Sequence, residues 1–160
     1  HAAIEAHLDA YDLRETVEHE SENYFASIEQ VMVRQAQGQP VLYYTWTPFW
    51  LSSVLVPDED VVWLTVPGET TATNLVDGQN LGFDINQIEI LASPEFLAEN
   101  PTVARFFEVA KVPIGDVNRQ NQRMRNGENT PQDIRHHAET WVADNQGVFD
   151  DWLAEARSAR

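Results

Sequence analysis

Val41-Leu42-Tyr43-Tyr44-Thr45-Trp46-Thr47-Pro48-Phe49-Trp50 changes character halfway along. Its first six residues are β-branched, aromatic or large apolar, the composition of a strand. Its end reads as a helix start. Thr47 offers a capping oxygen, and Pro48 suits a first helical position, where its missing N–H is no loss. Trp46 therefore falls at the C-terminal end of a predicted strand, just before a helix. That is where open α/β sheets bind ligands. Trp50 is a second indole close behind. From spacing alone, the simpler reading of both is core packing.

Upstream, Gly38 and Pro40 stop a helix predicted over 22–37, with Tyr24, Phe25, Ile28, Val31 and Met32 on one face. Residues 2–13 read as an earlier helix, with Ile4, Leu8 and Tyr11 at helical spacing. It begins so close to residue 1, without a cap, that a cut chain is expected. Downstream, the short helix from Thr47 to about Leu55 gives way to the turn Pro57-Asp58-Glu59-Asp60. Val61 to Val66 holds almost no polar residue, as expected of a strand covered on both faces, Trp63 included. Residues 67–81 form a long polar loop, and a third strand is predicted over 83–91 with a phase change near Gln87.

The remainder reads as helical. Ser93-Pro94, Asn100-Pro101 and Thr130-Pro131 each set a capping side chain before a proline. The helices predicted are 94–99, 101–111, 114–126 and 130–157. The last is read as one long helix, since Ile134, Ala138, Trp141, Val148, Trp152 and Ala156 keep one face across Gly147.

The chain has 160 residues, enough for one ordinary domain with a sizeable core. No window approaches 18 uninterrupted apolar residues, so no membrane insertion is expected in this segment. The opening residues lack the basic start and apolar run of a signal peptide, so export is not read directly. With no cysteine there are no disulfides or thiolate metal sites. The net charge of −16 argues against nucleic acid and anionic membrane as partners. Residues 1–80 hold 13 acids and 2 bases, residues 81–160 hold 13 acids and 8 bases, and Lys111 is the single lysine. Such a surface suits a salt-rich environment, and equally the ordinary acidity of a soluble protein.

Familiar reactive constellations are missing from the sequence. His19 sits between Glu18 and Glu20, and His136 adjoins His137, but neither cluster has the four-residue spacing that lets two ligands share a metal. Both read as solvated surface. Asp58-Glu59-Asp60 lacks the spacing and glycine of a calcium loop. Ser52-Ser53 has no glycine-flanked nucleophile pattern, and no phosphate-cradling glycine loop occurs. Catalytic residues, metal ligands and cofactors are all expected to be none.

The aromatic residues remain. A quaternary ammonium has no N–H to donate, so it is held against the negative faces of aromatic rings, each worth about 0.5–2 kcal/mol. Here the run Tyr43-Tyr44-Thr45-Trp46-Thr47-Pro48-Phe49-Trp50 resembles a segment of the periplasmic glycine betaine/proline betaine-binding proteins, the substrate-binding components of ABC osmoprotectant importers. The resemblance runs on through Asp60-Val61-Val62-Trp63-Leu64-Thr65-Val66-Pro67, Leu81-Gly82-Phe83, Glu99-Asn100-Pro101 and Asp116-Val117-Asn118-Arg119-Gln120-Asn121. It also takes in Ala10-Tyr11-Asp12-Leu13 and Gln37-Gly38-Gln39-Pro40-Val41, and so covers essentially the whole chain.

That resemblance implies an α/β, periplasmic-binding-protein-like type II fold, of which this chain is the C-terminal half. Residues 1–80 would be the later part of ligand-binding lobe two, and residues 81–160 the return into lobe one. It implies a ligand such as glycine betaine or proline betaine, an ABC permease subunit as partner, and a periplasmic or otherwise extracytoplasmic location. Trp46 would be one wall of a three-tryptophan cage, with Tyr44 and Thr47 lining the cleft. Trp50, Trp63, Trp141 and Trp152 are left as packing. The other two cage tryptophans, and the groups for the ligand carboxylate, lie upstream of the region matched by residue 1. Two alternatives stand beside this reading: the ligand-sensing effector domain of a regulator, and an enzyme on the same two-lobed fold.

Overall fold

The structure is a computed structural model. It describes residues 2–20, 23–67, 75–76, 78–85 and 87–159. The chain forms two compact units. One comprises residues 1–45 and 63–86, the other residues 46–62 and 87–160. The chain passes between units at 45/46, 62/63 and 86/87, so residues 46–62 belong with the C-terminal helices.

In the first unit, α1 (Ala2–Ala10) and α2 (Tyr24–Ala36) supply the two best-buried side chains, Leu8 and Ile28. Asn23 caps α2 by accepting from the Ala26 N–H at 3.2 Å. Gly38, at φ +71°, ends it, with the Gln39 N–H returning to the Arg34 carbonyl at 3.0 Å. The Tyr24 hydroxyl donates to the Tyr44 carbonyl at 3.0 Å, and that of Tyr11 to the Pro67 carbonyl at 2.7 Å. Val66 and Asn80 exchange hydrogen bonds at 2.9 Å and 3.1 Å. At Gly82 (φ +76°) a Cβ would stand 2.7 Å from Val66 Cγ2 and 2.8 Å from His7 Cε1. Glycine is required there by both backbone and space.

The second unit holds the 3-10 turn Trp50–Ser53 and five helices: α3 (Pro94–Glu99), α4 (Pro101–Val109), α5 (Ile114–Arg125), α6 (Pro131–Asp144) and α7 (Gln146–Ser158). Helix α5 packs on the 3-10 turn, and α4 on α7, where Phe106 meets Phe149 and Trp152 edge-on. Leu51, Leu55 and Ala156 are buried in this unit. Ser93 and Thr130 cap as their sequence predicts. Ser93 accepts from Phe96 N–H, and Thr130 forms a reciprocal box with Asp133. Asn100 does not cap α4; its amide donates back to the Phe96 carbonyl at 2.9 Å and closes α3 instead.

Three expectations are corrected. The described residues of the predicted strands 41–46, 61–66 and 83–91 form no strand, and residue 86 lies outside the described residues. Among the described residues the ladder pairing is the two-residue hairpin β1 (Leu75–Val76) with β2 (Gln79–Asn80), beside one isolated bridge, Pro57 with Val61. The composition of those runs favours extended backbone, but a strand also needs a partner edge. The polar loop predicted over 67–81 contains that hairpin, and its residues 68–74 and 77 lie outside the described residues. The covered strand around Trp63 is likewise overturned: Trp63 is 37% exposed, and Val62 and Leu64 more so.

The third correction concerns the last helix, which is two. Asn145, at φ −119° and ψ 31°, interrupts it, and its side-chain amide donates to the Trp141 carbonyl at 2.8 Å. The Asn145 N–H also donates to that carbonyl, at 2.9 Å, so backbone and side chain of one residue close the end of α6 together. In a continuous helix Trp141 and Trp152, eleven residues apart, would be separated by roughly 16 Å. Instead their rings stack at 5.6 Å. The predicted helices 2–13, 22–37, 101–111 and 114–126 are each present, one to three residues shorter.

Candidate functional site

The expected helix start at Thr47-Pro48 is displaced. The Thr47–Pro48 peptide bond is cis, and the 3-10 turn begins at Trp50 behind an extended Phe49. Thr47 is exposed and does not cap it. The N–H of Phe49 instead donates to Asn118 Oδ1 on α5 at 2.8 Å, a bond between residues 69 apart in sequence. Phe49 and Asn118 are both buried. Left unmet there, that N–H would cost about 1–3 kcal/mol.

Trp46 stands on this platform. It is 36% exposed, and its indole stacks on the Phe49 ring at 4.8 Å with 28° between planes. Phe49 in turn leans on Trp50 at 5.2 Å. Trp50 is buried, as the packing reading expects, and the Arg125 guanidinium carbon lies 4.1 Å from its ring centroid. That cation–π contact contributes about 0.5–2 kcal/mol. Helix α5 thus braces the aromatic run twice, through Asn118 at its middle and Arg125 at its end. It is itself tied to α6, because Trp141 Nε1 donates to Asp116 Oδ2 at 2.6 Å. The result is a partly exposed indole stacked on a buried ring.

Tyr44 belongs to the other compact unit. Its ring lies 4.9 Å from Phe83 and 6.5 Å from Tyr24, and its side chain is exposed. Trp141 and Trp152 are the packing residues the sequence suggests, in a cluster with Phe106 and Phe149.

One histidine of each cluster departs from the solvated-surface reading, while His136 is exposed as that reading expects. His137 is 5% exposed, and its Nε2 lies 2.9 Å from Glu128, which also accepts from Arg123. Arg123 and, second, His137 hold the Glu128 carboxyl below the usual range. His19 Nδ1 lies 2.6 Å from Glu5. Spacing shows which side of a helix a histidine takes, but not what another element brings against it. No group of three or more metal-ligating side chains gathers among the described residues. No helix among them is long and apolar enough to cross a membrane.

Asn118, Phe49 and Arg125 were not singled out individually by the sequence. Asn118 lies within the Asp116–Asn121 run that carries part of the resemblance, the one signal that pointed to it.

The braced indole of Trp46 is the feature that sets this run apart among the described residues. Comparisons with known proteins supply the class. The sequence model of the substrate binding domain of ABC-type glycine betaine transport systems matches residues 1–144. The glycine betaine-binding periplasmic protein OusX of Dickeya dadantii is 42% identical over 165 residues, which cover 99% of this chain and 50% of that protein. The glycine betaine/proline betaine-binding periplasmic proteins of Salmonella typhimurium and Escherichia coli are each 40% identical, with the same coverage. This chain belongs to the family of substrate-binding domains of ABC-type glycine betaine transport systems. With that membership goes a periplasmic-binding-protein-like fold. The chain spans about half the length of the curated relatives it matches.

Proposed function

We propose that this chain is the C-terminal half of an extracytoplasmic receptor. The receptor captures glycine betaine, proline betaine or a related quaternary-ammonium osmoprotectant and delivers it to an ABC permease subunit. Trp46 is one wall of the cage for the ammonium group, and Tyr44 and Thr47 line the same cleft. The observation that carries this reading is the exposed Trp46 indole stacked on buried Phe49, in a chain of the betaine-binding family. Capture needs no bond chemistry, so no catalytic residue and no cofactor is assigned.

In the two-lobed protein, residues 1–80 are the later part of lobe two and residues 81–160 the return into lobe one. That boundary is a proposal distinct from the passages between compact units, which fall at 45/46, 62/63 and 86/87. Residues 46–62 are the portion of the first stretch that groups with the C-terminal helices. The runs 41–46, 61–66 and 83–91 find their sheet partners in the other half of the protein.

Calorimetric titration tests the site. One ring supplies on the order of 2 kcal/mol, whereas micromolar affinity needs about −8.2 kcal/mol. Residues 1–160 alone should therefore bind glycine betaine weakly, and the full-length protein that carries them should bind it well. Trp46→Ala in that protein should weaken binding by about 0.5–2 kcal/mol or more. Undiminished binding by the variant, or tight binding by residues 1–160 alone, would overturn the assignment.

A further inference from the structure

We infer that Asn118 is a positioning residue for the betaine site, a role that rests on the Trp46 reading above. Trp46 has its stacking partner in Phe49, so the indole's angle follows the Phe49 ring. The Phe49 ring follows its backbone, which is extended at φ −152° and ψ 146° and stands outside the 3-10 turn that begins at Trp50. No side chain caps that turn from within the run. The Phe49 carbonyl accepts from the Ser52 N–H at 3.2 Å, and its N–H is anchored to α5 by the 2.8 Å bond to Asn118 Oδ1. The orientation of the Asn118 amide is unambiguous, because a backbone N–H only donates and the atom facing it must be the oxygen. Asn118 is buried in the middle of α5, where an asparagine is a poor helix former and an apolar side chain would pack better. Its presence there is explained by the one thing an apolar residue lacks, an acceptor aimed at Phe49.

The wall is therefore aimed from a helix far along the chain. Asn118 does not touch the ligand; it acts through Phe49 on Trp46. A stacked cation is sensitive to ring placement, since it draws on the face of the quadrupole. Losing the bond should cost affinity beyond any loss of stability.

The test uses the full-length protein and glycine betaine as the probe. Asn118→Leu keeps the side chain's size and removes the acceptor, whereas Asn118→Asp keeps an oxygen at the same reach. Asn118→Leu should weaken binding about tenfold, and Asn118→Asp should retain most of the affinity. A lowered melting temperature with unchanged affinity in Asn118→Leu would reduce Asn118 to a structural cap and overturn the proposal. Trp46→Ala is titrated alongside. If it weakens binding and Asn118→Leu does not, the positioning role alone fails. If Trp46→Ala binds normally, the betaine-site reading fails first. Should Asn118→Leu not fold, hydrogen exchange on the unaltered protein decides. Coupling is reciprocal, so saturation with glycine betaine should slow exchange of the Phe49 amide further; unchanged exchange overturns the proposal.

Discussion

Gly82 shows how much one residue can carry. It stands in the Leu81-Gly82-Phe83 run, holds φ at +76°, and leaves no room for a Cβ between Val66 and His7. Phe83 beside it meets His7 edge-on at 5.2 Å and Tyr44 at 4.9 Å. Gly82→Ala therefore incurs both a left-handed backbone penalty and a clash, and should destabilise the chain by about 1–3 kcal/mol. Urea unfolding measures it; a change under ~0.5 kcal/mol, ordinary for an unconstrained surface site, would refute it. The positive φ was not legible in the sequence, where Gly82 read only as part of a matched motif. His137 was misread for a related reason: its burial is created by packing and by Glu128, nine residues upstream. Trp46 read as core packing from spacing alone, and its partial exposure is set by how the run is braced.

At the level of elements, what was legible is what is local. Ser93-Pro94 and Thr130-Pro131 start helices because cap and proline act within one turn. Helix α1 instead gathers charge from the turns behind it. Arg14 donates to Asp9 at 2.6 Å and to Glu5 at 2.5 Å, and His19 meets Glu5 at 2.6 Å. His19 and then Arg14 hold the Glu5 carboxyl below its usual range, and Arg14 does the same to Asp9. At the start of α6, hydrogen bonds from Thr130 lower Asp133. All these carboxyls, and Glu128, titrate lower folded than unfolded. Their contribution is thus whole above the unfolded values, about pH 4, and is lost as pH falls through the depressed folded values. Melting temperature should hold from pH 7 to about 5 and drop below about 4. Glu5→Gln should flatten part of that drop, and a melt insensitive to pH between 5 and 3 would show these pairs contribute nothing. The break between α6 and α7 illustrates the opposite case. Hydrophobic periodicity runs straight through residues 130–157, and nothing in that period registers an asparagine turning back on Trp141.

For the whole molecule, the question is what the apolar runs are for. Exposure alternates residue by residue along 41–46, the period of a strand with one face covered. Yet Leu42, Val62, Leu64, Ile88, Ile90 and Leu91 present more than half of their surface to solvent, Leu91 as much as 91%. Composition made these segments look like strands because it registers only local preference; pairing is a property of whatever lies alongside. Covering six such side chains would yield roughly 9–18 kcal/mol at about 1.5–3 kcal/mol each. Association costs an estimated 4–15 kcal/mol. The surplus is positive over most of that range, so the runs are strong enough to recruit strands supplied as a separate polypeptide. Mixing this chain with a polypeptide spanning the other half of a curated relative should give a one-to-one complex by analytical ultracentrifugation. The complex should melt higher than this chain alone and bind glycine betaine, which neither piece should do tightly by itself. The pairing should also protect amides in 41–46, 61–66 and 83–91 from hydrogen exchange, every second one most strongly if a single edge is added. Two pieces that sediment separately at tens of micromolar, with those amides still exchanging freely, would show that the exposed runs are not unpaired strands at all.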